Sequence, residues 1–98
     1  MAYKLFIRKE AEADIAEAYQ YYENCREGLG ADFILCIDES LSRIQRNPKQ
    51  FRFVLDRIKR ALVKKFLYGI YYTLSENEII VLAVTHARRN PKHWQSRS

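Results

Sequence analysis

Residues 78–94 read EIIVLAVTHARRNPKHW, and this stretch decides the fold. Its first part, residues 79–84, is a nearly continuous aliphatic run, which is typical of a strand buried within a sheet. Polar side chains return at Thr85 and His86, and Pro91 ends the element because proline lacks the amide hydrogen that a β-ladder needs. We therefore predict a central strand that delivers a basic segment to one end of a sheet.

The charge is distributed unevenly between the two halves of the chain. Residues 1–47 contain six Lys or Arg against nine Asp or Glu, a balance of −3, whereas residues 48–98 contain eleven against three, a balance of +8. Such segregation in a small domain is the footprint expected of a protein that meets nucleic acid or an acidic protein surface. The net charge of +5 by itself would indicate no more than solubility.

The first half of the chain predicts one strand and two helices. Residues 3–8, YKLFIR, are rich in aromatic and aliphatic side chains and indicate a strand. Residues 9–24 and 31–46 each place apolar side chains at helical spacing, and a glycine-containing break at 26–30 separates them. Pro48 stops the second helix. We expect an antiparallel helix hairpin whose apolar stripes need a sheet to cover.

After the hairpin the pattern changes from helical to extended. Residues 49–53 indicate a loop, residues 58–65 alternate loosely between apolar and basic side chains, and residues 66–74 are dense in aromatic and β-branched side chains. A turn at 75–77 leads into the central strand and completes an antiparallel meander. The sequence thus predicts one α+β domain over residues 1–98, ordered β-α-α-β-β-β, with a curled, mainly antiparallel sheet and the helix hairpin on one face.

Several protein classes are excluded by length and composition. A chain of 98 residues can bury one core without disulfide or metal support, and no apolar run approaches the ~20 residues of a membrane helix. The N-terminus shows no signal-peptide core, so we expect a cytoplasmic protein that does not bind a membrane. Cys25 and Cys36 lack metal-ligand spacing, and we expect neither a metal nor a cofactor.

The order of several motifs along the chain is itself informative. They are the Tyr21-Tyr22 pair, the Asn47-Pro48 stop, the segment 65–72 (KFLYGIYY), the segment 82–91 (LAVTHARRNP) and Trp94. In this order and at these distances they resemble the RelE/ParE superfamily of bacterial toxins, and its ParE-like members more than its RelE-like members. The resemblance spans nearly the whole chain.

That resemblance implies a toxin of a bacterial type II toxin–antitoxin system, neutralised by a cognate antitoxin until the antitoxin is degraded. ParE-like members inhibit DNA gyrase and are not nucleases, whereas RelE-like members cut messenger RNA on the ribosome. A third alternative is a regulatory module that binds antitoxin without being toxic. The resemblance places the protein in the bacterial cytoplasm.

The candidate catalytic residues follow the central strand. RNA cleavage by a 2′-hydroxyl needs a proton acceptor, a proton donor and cations at the phosphate, and His86, Arg88 and Arg89 are the candidates for a nuclease. The resemblance aligns Arg88 with one RelE-like arginine. It aligns Gly69 with a second RelE-like arginine, and it aligns Trp94 with the RelE-like catalytic tyrosine. Glycine has no side chain and indole cannot act as a base, so we expect gyrase inhibition.

Residues that contact the target or the antitoxin are predicted in the basic half of the chain. They are Arg60, Lys64, Lys65, Arg88, Arg89 and Trp94, together with His86. The alternatives are a solvated turn for the arginines, a backbone hydrogen bond for His86 and a packed anchor for Trp94. We expect a four-stranded sheet covered on one face, and an acidic antitoxin that uses the open face, a strand edge or the helix hairpin.

Overall fold

The computed structural model describes residues 3–89, 91–95 and 97 as a mixed sheet with a helix hairpin on one face. The strands are β1 (Lys4–Ile7), β2 (Arg52–Leu55), β3 (Ile58–Leu62), β4 (Tyr68–Ser75) and β5 (Glu78–His86). The helices are α1 (Lys9–Cys25), α2 (Leu29–Arg46) and the single turn α3 (Lys92–Gln95), and Pro48–Gln50 forms a 3-10 turn. The strand order in space is β1-β5-β4-β3-β2, with β1 parallel to β5 and the other neighbours antiparallel. The predicted α+β class, helix hairpin and mainly antiparallel sheet are confirmed.

The link between α1 and α2 is closed by a carboxylate. Glu23 accepts the backbone N–H groups of Gly28 and Gly30, each at 3.0 Å. This places a negative charge at the N-terminus of α2, where the helix dipole favours it. Gly28 has a φ of 88°, a left-handed conformation that glycine adopts without strain. A Cβ at Gly30 would lie 2.8 Å from the Tyr19 ring, so the hairpin needs glycine at both positions.

The main core fills the space between the hairpin and the sheet, on what we call the helix-covered face. Phe33 is fully buried there, and its ring packs edge-on against Phe66 and Tyr68 at centroid distances of 5.2 and 5.1 Å. The Tyr72 hydroxyl donates to the Pro48 carbonyl at 2.6 Å, so this polar atom is satisfied inside the core. Further buried side chains of this core are Ala11, Ala18, Ile37, Ile44, Ala61, Val63, Ile70, Ile79, Val81 and Val84. Most of the buried apolar side chains therefore lie on this face.

The opposite side of the sheet, which we call the far face, has a smaller core. Between Tyr71 and Tyr72 the register with β5 shifts by one residue, and Leu82 and Ala83 both pack on this side. The Trp94 indole stacks on the Tyr71 ring at 4.4 Å, with 20° between the ring planes. The expectation of an uncovered face is therefore wrong at its centre, because the chain folds back after β5 and places Trp94 over it.

β2 begins within residues 49–53, which we expected to be a loop. Arg52 pairs with Arg60 and Phe53 pairs with Lys59, and the register becomes irregular before Leu55. This edge strand is only four residues long, so it shows no alternation in the sequence. It is extended because β3 supplies its hydrogen-bond partners. Within the described ranges the sheet has five strands, where we expected four.

β3 ends earlier than expected, at Leu62, and β4 begins later, at Tyr68. The residues between them form a loop in which Lys65 and Leu67 have positive φ angles of 76° and 53°. Strand residues have negative φ, so these two positions are incompatible with a continuous strand. Lys64 and Lys65 are therefore loop cations, and the prediction that a strand carries them is wrong.

The C-terminal segment is tied to α1 by an ion pair that also completes one edge of β5. β1 ends at Ile7, so β1 does not pair with Leu82 and Val84. Asp14 accepts the Val84 N–H at 3.0 Å, and the Arg97 guanidinium donates to the Leu82 carbonyl at 3.2 Å. Asp14 and Arg97 contact each other at 2.7 Å, with both side chains largely buried. The two side chains thus satisfy backbone groups of β5 that a neighbouring strand would otherwise hydrogen-bond.

Candidate functional site

Four of the predicted contact residues gather at one end of the sheet. The loop between β3 and β4 lies beside the turn that follows β5, because Tyr68 pairs with His86 and the Ala87 N–H donates to the Leu67 carbonyl at 2.7 Å. This places exposed cations from two distant parts of the sequence side by side. They are Lys64, Lys65, Arg88 and Arg89, and we call them the basic end. The fold therefore concentrates positive charge at the end of the two central antiparallel strands.

His86 is held by the turn that carries the arginines. The Arg89 N–H donates to the His86 carbonyl at 2.9 Å, and the Arg88 N–H donates to the His86 Nδ1 at 3.2 Å. A nitrogen that accepts a hydrogen bond cannot carry a proton in the same arrangement, so the neutral imidazole has its hydrogen on Nε2. His86 therefore presents a donor at Nε2, and its one lone pair is engaged by the turn.

An aromatic wall connects the basic end to α1. The Tyr68 ring lies 5.7 Å from the His86 ring and 6.1 Å from the Tyr22 ring. Burial raises the pKa of Tyr22 to about 12, and the neighbouring Tyr68 hydroxyl adds to the shift. Burial also raises the pKa of Tyr68, although the positive charge of Arg89 opposes this. Both phenols are thus neutral at physiological pH and act as hydrogen-bonding groups and not as bases.

A cleft of about 530 Å³ opens in front of this wall. Glu17 and Tyr21 line it from α1, and Tyr68, His86 and Arg89 line it from the sheet. A carboxylate, a guanidinium and several rings therefore share one concave surface, which suits a protein side chain of mixed polarity.

Arg60 and Trp94 lie away from the basic end, on the far face. Arg60 stands opposite Arg52 on one side and Tyr71 on the other. Its aliphatic stem passes over Gly69, where an added Cβ would lie 3.0 Å from the Arg60 Cδ. Trp94 is only 4% exposed, since it covers Tyr71. The six predicted contact residues thus divide into four at the basic end and two on the far face.

A second set of cations lies at the edge of the sheet, and sequence reasoning predicted Arg60 from it but missed Arg43 and Arg52. A cleft of about 480 Å³ is lined there by three arginines with apolar and aromatic neighbours, and we call it the arginine groove. Its main residues are Arg43, Phe51, Arg52, Arg60 and Leu62. The signal in the sequence was the alternation of basic and aromatic residues in KQFRF at 49–53, within a segment that we interpreted as a loop.

The described part of the chain contains neither a metal site nor a helix that could span a membrane. No group of three or more His, Cys, Asp or Glu side chains among these residues is arranged to hold a metal ion. None of the helices described for this chain is long and apolar enough to cross a membrane.

Comparison with known proteins establishes the family. A family model described as "ParE toxin of type II toxin-antitoxin system, parDE" matches residues 5–91. The chain belongs to the ParE toxin family. The predicted superfamily resemblance, with its preference for ParE-like members, is therefore confirmed, and the chain is the toxin component of a type II toxin–antitoxin system with an antitoxin as its partner.

Individual relatives agree with this family. Toxin ParE2 of Mycobacterium tuberculosis, from two strains, is 26% identical over 92 residues, which is 93% of this chain and 88% of the relative. A chain of the solved "Chromosomal ParDE TA system from P. aeruginosa" has a TM-score of 0.76 at 15% identity, covering 86% of this chain and 95% of that one. At such low identity the structural match establishes the ParE-like fold alone.

Proposed function

We propose that this ParE-family toxin inhibits DNA gyrase and does not cleave nucleic acid. Family membership supports the proposal because the ParE-like members that the motifs resemble act on gyrase. The state of His86 supports the second part, and it is the observation that carries the choice between the two known modes of action.

A nuclease of this superfamily would need a group that takes the proton of the 2′-hydroxyl. His86 is the candidate, but its Nδ1 already accepts the Arg88 N–H. Acceptance at Nε2 would require the hydrogen to move to Nδ1, where it would face that N–H. Tyr22 and Tyr68 do not replace it, since their raised pKa values keep both phenols protonated. Neither His86 nor the two tyrosines beside it are therefore poised to act as the base.

The basic end is the surface that we assign to gyrase. Its four cations are exposed and lie on a loop and a turn that are hydrogen-bonded to each other, so their positions are coupled. Exposed charges that face an acidic surface chiefly increase the rate of association and select the partner. Gyrase would therefore be recognised through charge at the basic end and through polar groups of the neighbouring cleft.

The deciding experiment compares two variants in a supercoiling assay with purified gyrase and relaxed plasmid. Arg88→Gln with Arg89→Gln is expected to weaken inhibition roughly tenfold or more, because two interface charges are lost. His86→Gln is expected to change inhibition little. Arg26→Gln with Arg46→Gln, which removes two exposed cations from the hairpin, is the matched control.

Pulse labelling of DNA and protein synthesis after induction in bacteria provides the second test. An early loss of DNA synthesis supports the proposal. An early loss of protein synthesis with cleaved messages, abolished by His86→Gln, would contradict it and establish the messenger endonuclease. Absence of any effect on growth would contradict toxicity and favour the antitoxin-binding module.

The antitoxin contact is proposed on the helix hairpin. Tyr21 and Leu35 are large apolar side chains that remain 62% and 67% exposed on α1 and α2. A partner helix can cover such side chains, and a partner that binds only the folded toxin stabilises it by mass action. We expect the complex to unfold at a higher temperature than the free toxin, and Leu35→Glu to reduce that difference. An unchanged difference in calorimetry would place the antitoxin elsewhere.

A further inference from the structure

Two arginines face each other directly across the outer strands of the sheet. Arg52 on β2 is the register partner of Arg60 on β3. Like charges in this arrangement destabilise a sheet. No ion pair or hydrogen bond links either guanidinium to another residue in the ranges 3–89, 91–95 and 97. Residues within the described ranges thus leave this repulsion unrelieved, an arrangement that a bound anion would stabilise.

A third guanidinium is already positioned at the same groove. Arg43 of α2 donates to the Leu62 carbonyl at 3.3 Å and to the Ser40 hydroxyl at 3.5 Å. It also lies 6.0 Å from the centre of the Phe51 ring. These contacts hold Arg43 in place, so less conformational entropy is lost when a ligand binds. The arginine groove therefore combines one ordered cation with two that repel each other.

The shape of the β2 edge indicates how a ligand would be recognised. β2 has four residues and an irregularity between Phe53 and Leu55, and such features hinder the addition of another strand. Recognition through backbone ladders is therefore unfavourable here. Phe53 is 62% exposed, and the ammonium of the buried Lys59 lies 3.9 Å from the centre of its ring. Recognition at this edge therefore depends on side chains.

We propose that the arginine groove binds the phosphate backbone of duplex DNA. Planar guanidinium groups bind phosphate oxygens in a bidentate manner, and a phosphate between Arg52 and Arg60 would turn their repulsion into two attractions. The place where the toxin would encounter DNA rests on the proposed function, since gyrase acts on DNA and a toxin bound to gyrase would lie close to the duplex. DNA binding itself requires only the groove.

The test measures the binding of a short fluorescent DNA duplex to the full chain by anisotropy at several salt concentrations. The wild-type affinity is expected to fall as salt rises. Arg52→Gln with Arg60→Gln should weaken binding between about tenfold and a hundredfold near 0.1 M salt and reduce the salt slope by about 2. Arg46→Gln with Arg57→Gln removes equal charge outside the groove and should have a smaller effect.

Thermal unfolding of the same proteins separates a binding site from a structural role. The Arg52→Gln, Arg60→Gln variant should unfold at the same or a higher temperature than the wild type, because the cross-strand repulsion is gone. A loss of both stability and binding would assign the arginines to the fold and overturn the proposal. An equal loss of binding in the control variant would mean that binding depends on the net charge of the protein and not on the groove. That result would also overturn the proposal.

Two further probes test the identity of the ligand. Tighter binding to a polyglutamate peptide, or to single-stranded RNA, than to the duplex would overturn the DNA proposal. The assay contains no gyrase, so its result does not depend on the proposed target. A toxin that binds DNA through the groove but leaves supercoiling unaffected would refute gyrase inhibition while supporting this inference.

Discussion

The two faces of the sheet use the same strands for different purposes. The helix-covered face buries a long series of aliphatic and aromatic side chains under α1 and α2. The far face has one small core around Trp94, and the arginine groove lies beside it at the edge of the sheet. Most buried apolar side chains thus lie on one side of the sheet, and Arg52 and Arg60 lie on the other.

This division explains how a small domain tolerates so much positive charge. Each strand alternates between the faces, so a cation on the far face needs no burial and no partner within the core. Arg60 lies between Lys59 and Ala61, and Ala61 is fully buried on the helix-covered face.

Loss of a large ring from the helix-covered face should be the most damaging change. Phe33→Ala is expected to cost about 3–5 kcal/mol of unfolding free energy, because the ring is fully buried and packs against other rings. Leu35→Ala on the same helix removes an exposed side chain and should change stability by about 0.5 kcal/mol or less. Urea denaturation of both variants measures the difference, and similar costs would refute the assignment of the core to this face.

Removal of the far-face anchor should cost less. Trp94→Ala is expected to lower the unfolding free energy by about 3 kcal/mol, the low end for such a change, because the indole joins a smaller cluster. Trp94→Phe preserves a ring over Tyr71 and should cost roughly 1.5 kcal/mol or less. If Trp94→Ala abolished toxicity at unchanged stability, the side chain would be a contact residue and the far-face core would have little importance.

The ion pair that joins the tail to α1 should have an intermediate to small effect. Asp14→Asn weakens the bonds to Arg97 and to the Val84 N–H, and it should cost about 1–3 kcal/mol. Asp38→Asn, an exposed change on α2, is the control. The amide of Trp94 should exchange with solvent faster in Asp14→Asn if the pair holds the tail in place. Unchanged exchange would show that the far face closes independently.

Alkaline pH should test the aromatic wall. Tyr22 keeps its proton to a pH of about 12 in the folded protein but only to about 10 in the unfolded chain, chiefly because of burial. The stability that this difference contributes is therefore complete below pH 10 and is lost as the pH rises toward 12. Tyr22→Phe should flatten the fall in melting temperature over this range, whereas Tyr21→Phe should not. Identical slopes for both variants would contradict the link to burial.

The sequence predicted those parts of the molecule that repeat over many residues. The aliphatic run of β5 and the spaced apolar side chains of both helices carry their own periodicity, so the hairpin and the central strand could be predicted without knowledge of their partners. β2 could not, because four residues next to a turn show no period. It is a strand only because Arg52 and Phe53 meet β3.

The candidate site was predicted in parts. Lys64, Lys65, Arg88 and Arg89 could be selected as charges in the basic half, but their proximity depends on the pairing of Tyr68 with His86. Arg43 could not be selected, since it lies on a helix in the acidic half and reaches the groove only through packing. The register between distant strands decides which charges lie close together, and a local sequence pattern does not predict that register.

The pairing of the first strand with the last has a consequence for synthesis on the ribosome. Lys4 pairs with Glu78, so β1 has no partner until residues 78–81 have been translated. Contacts between such distant residues also form slowly, because a large loop must close first. A nascent or truncated chain that ends before β5 therefore lacks the pairings of β5 with both β1 and β4. We expect fragments released by termination before β5 to be non-toxic, because their sheet is incomplete.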